Sequence, residues 1–189
     1  MTMTVSSGVS RRSFLVAAGA SSVLAACGNG VGGTGSAQID ARVNSTEQYL
    51  FNSFPGTRDL ANRASGVLIM PLITEAGLIY GGGYGRGALR VRGVTVDYYS
   101  ATRATFGLQI GAQQYAHALF FMTEGALGQF RRSPGWAAGA DVRYATPAQG
   151  ASLGKETTEM EPVIALVFGQ QGFIAGATLA GVKYNRIIP

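Results

Sequence analysis

The residues best able to act together in this chain are its arginines. Lysine and arginine total 15 against 10 acidic residues. Arg86, Arg90 and Arg92 fall on one arm of a glycine-bounded hairpin, Arg103 follows close by, and Arg131-Arg132 ends a short helix beside Trp136. A guanidinium binds phosphate oxygens through several hydrogen bonds at once, and tryptophan suits a membrane interface. Near anionic lipid each basic residue contributes about 1 kcal/mol of attraction. The same side chains could instead be solvated or serve as partners of a helix dipole, and the sequence leaves both readings open.

Other chemistry has less to build on. His117 is the only histidine and Cys27 the only cysteine, so a zinc site lacks imidazole and thiolate ligands. A hydrolytic triad needs a base beside its nucleophile and an orienting carboxylate, and His117 sits between Ala116 and Ala118 in an apolar stretch. Gly83, Gly85 and Ala88 spell G-x-G-x-x-A, but the next residues, Leu89-Arg90-Val91-Arg92, alternate like a strand. A phosphate cradle needs a helix to open there, so tight strand packing is the better reading. Glu156, Glu159 and Glu161 beside Lys155 read as a solvated edge. No cofactor and no catalytic residue is assigned, and the domain is read as not an enzyme.

The elements that must position the arginines follow from pattern. Ala37–Phe54 reads as a helix and Thr57–Ser65 as a second, shorter one, separated by Pro55-Gly56. Gly66–Met70 is an apolar run ended by Pro71, hence a buried strand, with a short turn at Leu72–Ala76. Ala88–Arg92 and Val94–Ser100 form strands about a turn at Gly93. Within Ala104–Thr123 (ATFGLQIGAQQYAHALFFMT), Phe106–Gln113 alternates with period two and Ala118–Met122 is a bulky apolar run, so the stretch reads as the central hairpin or strand pair of the core. Glu124–Arg132 is a helix, Trp136–Tyr144 a strand, and Thr157–Phe168 and Phe173–Tyr184 the last two strands, turned by Gly169–Gly172. The class is α+β: N-terminal helices with an antiparallel, glycine-rich, barrel-like or sandwiched sheet.

The N-terminus carries addresses. Ser10-Arg11-Arg12-Ser13-Phe14-Leu15 fits the twin-arginine export pattern, with Arg11 and Arg12 as the recognised pair, and Leu24-Ala25-Ala26-Cys27 fits a lipobox. The expected organisation is a signal peptide over 1–26, a lipidated flexible tether over 27–36, and one domain over 37–189. A diacylglyceryl group on Cys27 would tether the protein to a membrane on the periplasmic side of the bacterial envelope, with Gly28 favouring the outer membrane. Loss of Arg11 and Arg12 with the leader lowers the formal charge from +5 to +3. That is modest for a nucleic-acid partner, and none is expected.

Several of these segments, in order, resemble the SYLF family of lipid-binding domains, also described as the yeast actin-binding-like domain. They are GVLIMP, GGGYGRGAL, VDYYS, TFGLQIGAQ, LFFMTEGAL, FRRSPGWAAGADV and VFGQQGFIAGATLAGVKYNRI. The arrangement is similar to the family's bacterial lipoprotein branch. The resemblance spans Gly66 to Pro189, with Ala37–Ala64 in the place of the family's N-terminal helical part. It implies a non-catalytic module that binds anionic phospholipid, with phosphoinositide-like head groups as the family's ligands. It adds Arg42, Arg58 and Arg63 to the head-group candidates. A protein partner bound by an envelope scaffold is the alternative.

Overall fold

The computed structural model describes residues 34–77, 80–106, 111–137, 142–145, 161–171 and 179–189. The twin-arginine segment, Cys27 and most of the tether lie outside them, as do Glu156 and Glu159. Three helices are present among the described residues: α1 (Gly35–Ser53), α2 (Gly56–Arg63) and α3 (Glu124–Arg132). The strands are β1 (Gly66–Gly77), β2 (Tyr80–Val91), β3 (Val94–Phe106), β4 (Gly111–Phe121), β5 (Trp136–Ala137), β6 (Val142–Ala145), β7 (Val163–Gln171) and β8 (Lys183–Ile187). All eight belong to one sheet, in the order β5-β8-β3-β2-β1-β4-β7-β6.

The α+β class, the N-terminal helices and the barrel-like sheet agree with the sequence reading. The details differ. There is one sheet rather than a sandwich, and β6 pairs with β7 in parallel. The stretch from Ala104 to Thr123 is not a hairpin, because β3 pairs with β2 and β8 while β4 pairs with β1 and β7. Nor do the last two strands pair with each other, since β8 lies between β3 and β5. Alternation shows that a segment is a strand and says nothing of its neighbour.

The sheet is curled. From β8 to β4 the sheet order takes four steps, about 19 Å along a flat sheet. Yet the Tyr184 hydroxyl on β8 lies 2.7 Å from His117 Nε2 on β4, so the far strands bend round to face each other. Inside the curl, Phe130 of α3 packs against Tyr99, Phe121, Trp136 and Tyr184, with ring centroids 4.6 to 6.1 Å apart. On the outer face Ile39, Val43 and Leu50 of α1 and Leu60 of α2 cover Val67, Ile69, Ala88 and Phe120.

Two local features make the curl possible. Strand β1 does not stop at Pro71; its register slips by one residue between Ile69 and Ile73 against β2, and between Met70 and Ile73 against β4. A bulge is where proline, which lacks an N–H, is tolerated inside a sheet. Opposite it, the inward positions of β2 are glycines. A Cβ on Gly87 would lie 2.1 Å from the Ile69 carbonyl oxygen, and one on Gly85 would lie 2.3 Å from that of Leu72. The glycine-rich run is therefore strand packing, and no helix opens after it. The β2–β3 turn at Arg92-Gly93 has positive φ at both residues, 51° and 79°, which matches the right-handed twist of a two-residue hairpin.

Gly87→Ala is expected to lower stability by about 3 kcal/mol through this backbone clash. Gly82→Ala, whose added Cβ meets nothing nearer than 3.6 Å, should cost less than about 1 kcal/mol. Urea titration of both variants checks the contrast.

Candidate functional site

Most polar groups inside the curl are paired, the exceptions among the described residues being the Tyr99 hydroxyl and His117 Nδ1. Glu75 on β1 lies across from Gly83, whose missing side chain leaves room for it. Its Oε1 accepts from Tyr115 Oη at 2.6 Å and from Arg103 Nη1 at 3.3 Å, and its Oε2 accepts from Gln113 Nε2 at 2.6 Å. Burial first, then the Glu75 carboxylate, pushes the Tyr115 phenol well above its ordinary range. His117 is fully buried, and burial alone pushes it down to about 3. Among the described residues its Nδ1 has no hydrogen-bond partner. The chain does contain a G-x-S-x-G sequence at Gly150–Gly154, outside the described residues. The single histidine available to such a serine is 0% exposed, with its Nε2 engaged by Tyr184.

A second carboxylate organises the rim. Asp97 is buried, accepting from Arg131 Nε at 2.9 Å on Oδ2 and meeting Arg186 Nη2 at 2.5 Å on Oδ1. It locks the last turn of α3 and strand β8 to β3. Thr123 caps the other end of α3, its hydroxyl accepting from the Ala126 N–H at 3.1 Å.

The helix-bearing face is tied down by a polar seam. Asp40, Asn44 and Glu47 recur at helical spacing on α1. Asp40 accepts from Thr95 Oγ1 at 2.9 Å and Tyr98 Oη at 2.8 Å. Glu47 accepts from Arg90 Nη1 at 2.5 Å, and Asn44 accepts from Arg90 Nη2. These residues share the sheet-facing side with Ile39, Val43 and Leu50, which is why the apolar stripe of this helix looks incomplete in the sequence. The Thr57 hydroxyl then donates to the Phe54 carbonyl at 2.6 Å, closing the end of α1.

The arginines read from the sequence divide into two groups. Arg90, Arg103 and Arg131 are ion-paired, with side chains 10, 17 and 43% exposed. They are structural anchors first, and Arg90 and Arg92 do not share a face, because Arg92 is a turn residue. Trp136 is half-buried with Phe121, Phe130 and Tyr184 rather than standing at a surface. Arg42, Arg58, Arg63, Arg86 and Arg92 remain on the helix-bearing side, and Arg132 remains exposed at the end of α3. None of these six has an acidic side-chain partner among the described residues. Arg58 lies over the Phe51 ring at 4.8 Å, and Arg63 Nε donates to the Asp59 carbonyl at 3.4 Å. Glu75, Asp97, Asp40 and Glu47 escaped the sequence reading. A lone carboxylate within an apolar strand, as at Glu75, was the available signal.

Residues 102–186 match the family described as Ysc84, Las17-binding protein actin regulator. Over that span the chain is similar to the Ysc84 (SYLF) family. The match runs from the second half of β3 into β8. It contains Arg103, Tyr115, His117, Arg131 and Tyr184, and leaves the five arginines of the helix-bearing face outside it. The description is that of a binding protein and regulator, not of an enzyme. Comparison with curated proteins gives no match. Among the described residues no helix is long and apolar enough to cross a membrane.

The domain should respond to acid through His117. The unfolded chain takes up this proton near 6.5 and the folded domain only near 3. The unfolded state therefore binds more protons between these values. Stability is full above 6.5 and falls as pH drops towards 3, by at most about 1.4 kcal/mol per pH unit from this group. Urea titrations at several pH values should show a shallower slope in His117→Gln. Glu75→Leu, which takes the acceptor from Tyr115, Gln113 and the Arg103 guanidinium, is expected to cost about 3–5 kcal/mol in the same measurement at neutral pH.

Proposed function

We propose that this protein is an exported, lipid-anchored, non-catalytic module that docks its helix-bearing face onto anionic phospholipid. The anchor is a diacylglyceryl group on Cys27, placed after twin-arginine export directed by Arg11 and Arg12. The site is the periplasmic side of the cell envelope, with the outer membrane as the favoured membrane.

The observation that carries the reading is the set of Arg42, Arg58, Arg63, Arg86 and Arg92 on one side of the molecule, without acidic partners among the described residues. Arg90, Arg103, Arg131 and Arg186 are paired with carboxylates, whereas these five remain available to an external anion. Docking is electrostatic and reversible, and the covalent lipid supplies the lasting attachment. Helix α1 acts as part of this rigid face, because its seam to Arg90, Thr95 and Tyr98 holds it on the sheet. Phosphoinositide-like head groups are the ligands suggested by the SYLF family, and the arrangement of arginines suits any clustered phosphate.

A second reading has its own support. The family's description names a protein partner, Las17. In an envelope setting the corresponding role is a scaffold that binds a different protein.

Flotation of the full chain carrying Cys27→Ser tests the first reading against vesicles of neutral and anionic composition. Binding should rise with phosphatidylglycerol or cardiolipin content and fall with salt. Each arginine of the five replaced by glutamine should weaken it at least about fivefold, as expected for about 1 kcal/mol per charge. Absence of binding to every vesicle at low salt would overturn lipid docking and favour the protein-partner reading.

A further inference from the structure

We infer that the cleft between α1 and the β1 bulge is a recognition site for one phosphate ester, the head group of an anionic membrane lipid. This rests on the reading that the helix-bearing face meets anionic lipid, and it names the point on that face where a single lipid is held.

The bulge creates the cleft. The extra residue at Pro71-Leu72 pushes β1 out of register and turns Leu72 outward, leaving it 39% exposed. A cavity of about 190 Å³ opens beside it, lined by Gln38, Arg42, Leu72, Thr74, Tyr84 and Arg86 among others. Arg42 comes from α1 and Arg86 from β2, so two guanidiniums from different elements border one small space. Among the described residues no carboxylate lines it. In this respect it differs from the cavity near Arg90 and Arg92, whose lining includes Glu47. It differs also from the 330 Å³ cavity on the other side of Leu72, whose lining has no charged side chain.

Two guanidiniums at one cleft, without acidic partners among the described residues, suit an anion with several oxygens. Size narrows the choice. Small-molecule pockets generally begin near about 300 Å³, so a nucleotide exceeds this cleft and a phosphate ester fits it. Thr74 Oγ1 and Gln38 Nε2 add polar groups whose present hydrogen bonds are long, 3.4 Å to Gln114 and 3.3 Å to Thr34, so both can turn to a ligand. The rim argues for lipid over free phosphate. Leu72 and Tyr84, 39 and 54% exposed, stand beside the charged cleft. Their apolar surface is suited to the glycerol and upper acyl region of a lipid whose phosphate lies between the arginines.

The test compares two pairs of substitutions that remove equal charge from the Cys27→Ser protein: Arg42→Gln with Arg86→Gln, and Arg58→Gln with Arg63→Gln. Vesicles contain phosphatidylcholine with phosphatidic acid. The first pair should weaken binding at least ~10-fold more than the second, since it removes multidentate contacts as well as charge. Leu72→Gln, which alters the rim and leaves the charge unchanged, should also weaken binding, and it keeps the test decisive if the first pair fails to fold. Soluble dihexanoyl phosphatidic acid should shift amide resonances around the cleft more strongly than glycerol 3-phosphate. Equal loss from the two pairs would overturn the cleft while leaving charge docking intact. Equal affinity for glycerol 3-phosphate and the short-chain lipid would overturn lipid as the ligand. No vesicle binding by the unsubstituted protein would remove both this site and the reading on which it rests.

Discussion

The curl of the single sheet is the constraint on which the molecule depends. It brings Tyr184 on β8 within 2.7 Å of His117 on β4, although three strands lie between them in the sheet. A side chain on either strand of a flat sheet could not reach the other. The curl is affordable because β1 takes an extra residue at Pro71 while β2 presents glycine at the inward positions 83, 85 and 87. Once curled, the sheet needs a filling for its inside, and α3 supplies it through Leu127 and Phe130.

That geometry decides which charges are free. Residues pointing inward lose water, so Glu75, Asp97 and His117 must find partners or stay neutral. Glu75 takes Arg103, Tyr115 and Gln113, and Asp97 takes Arg131 and Arg186. On the outer side, Arg90 is consumed by Glu47 and Asn44 in holding α1 to the sheet. Of the arginines left over among the described residues, five lie on the helix-bearing face and Arg132 stands at the end of α3. The division between structural and available arginines is thus a consequence of the curl and of the helix that covers it.

A binding module made this way differs from one that inserts a loose amphipathic helix. Helix α1 is held by apolar contacts from Ile39, Val43 and Leu50 and by hydrogen bonds from Asp40, Asn44 and Glu47. Releasing it would expose that apolar surface and leave Arg90 without its anion. A rigid face with preplaced guanidiniums loses less side-chain and backbone freedom on binding than a segment that must fold at the membrane.

By itself the sequence determined the class of the fold, its family resemblance and the place, though not the extent, of several local elements. The bulky apolar run at the end of β4, the helix at Glu124–Arg132 and the turn at Gly93 are local patterns, readable because neighbouring residues set them. The lipobox-like and twin-arginine-like patterns at Cys27 and Arg11-Arg12 are likewise linear, readable without a fold. Only the tertiary structure decided which strands are neighbours, that Pro71 sits in a bulge rather than at a strand end, and which arginines are spoken for. Pairing across a curled sheet joins residues far apart in the chain, such as Asp97 with Arg186 and Glu75 with Tyr115. No local period records such contacts. A buried arginine in a salt bridge and an exposed one facing a membrane have the same side chain, and only the surroundings distinguish them.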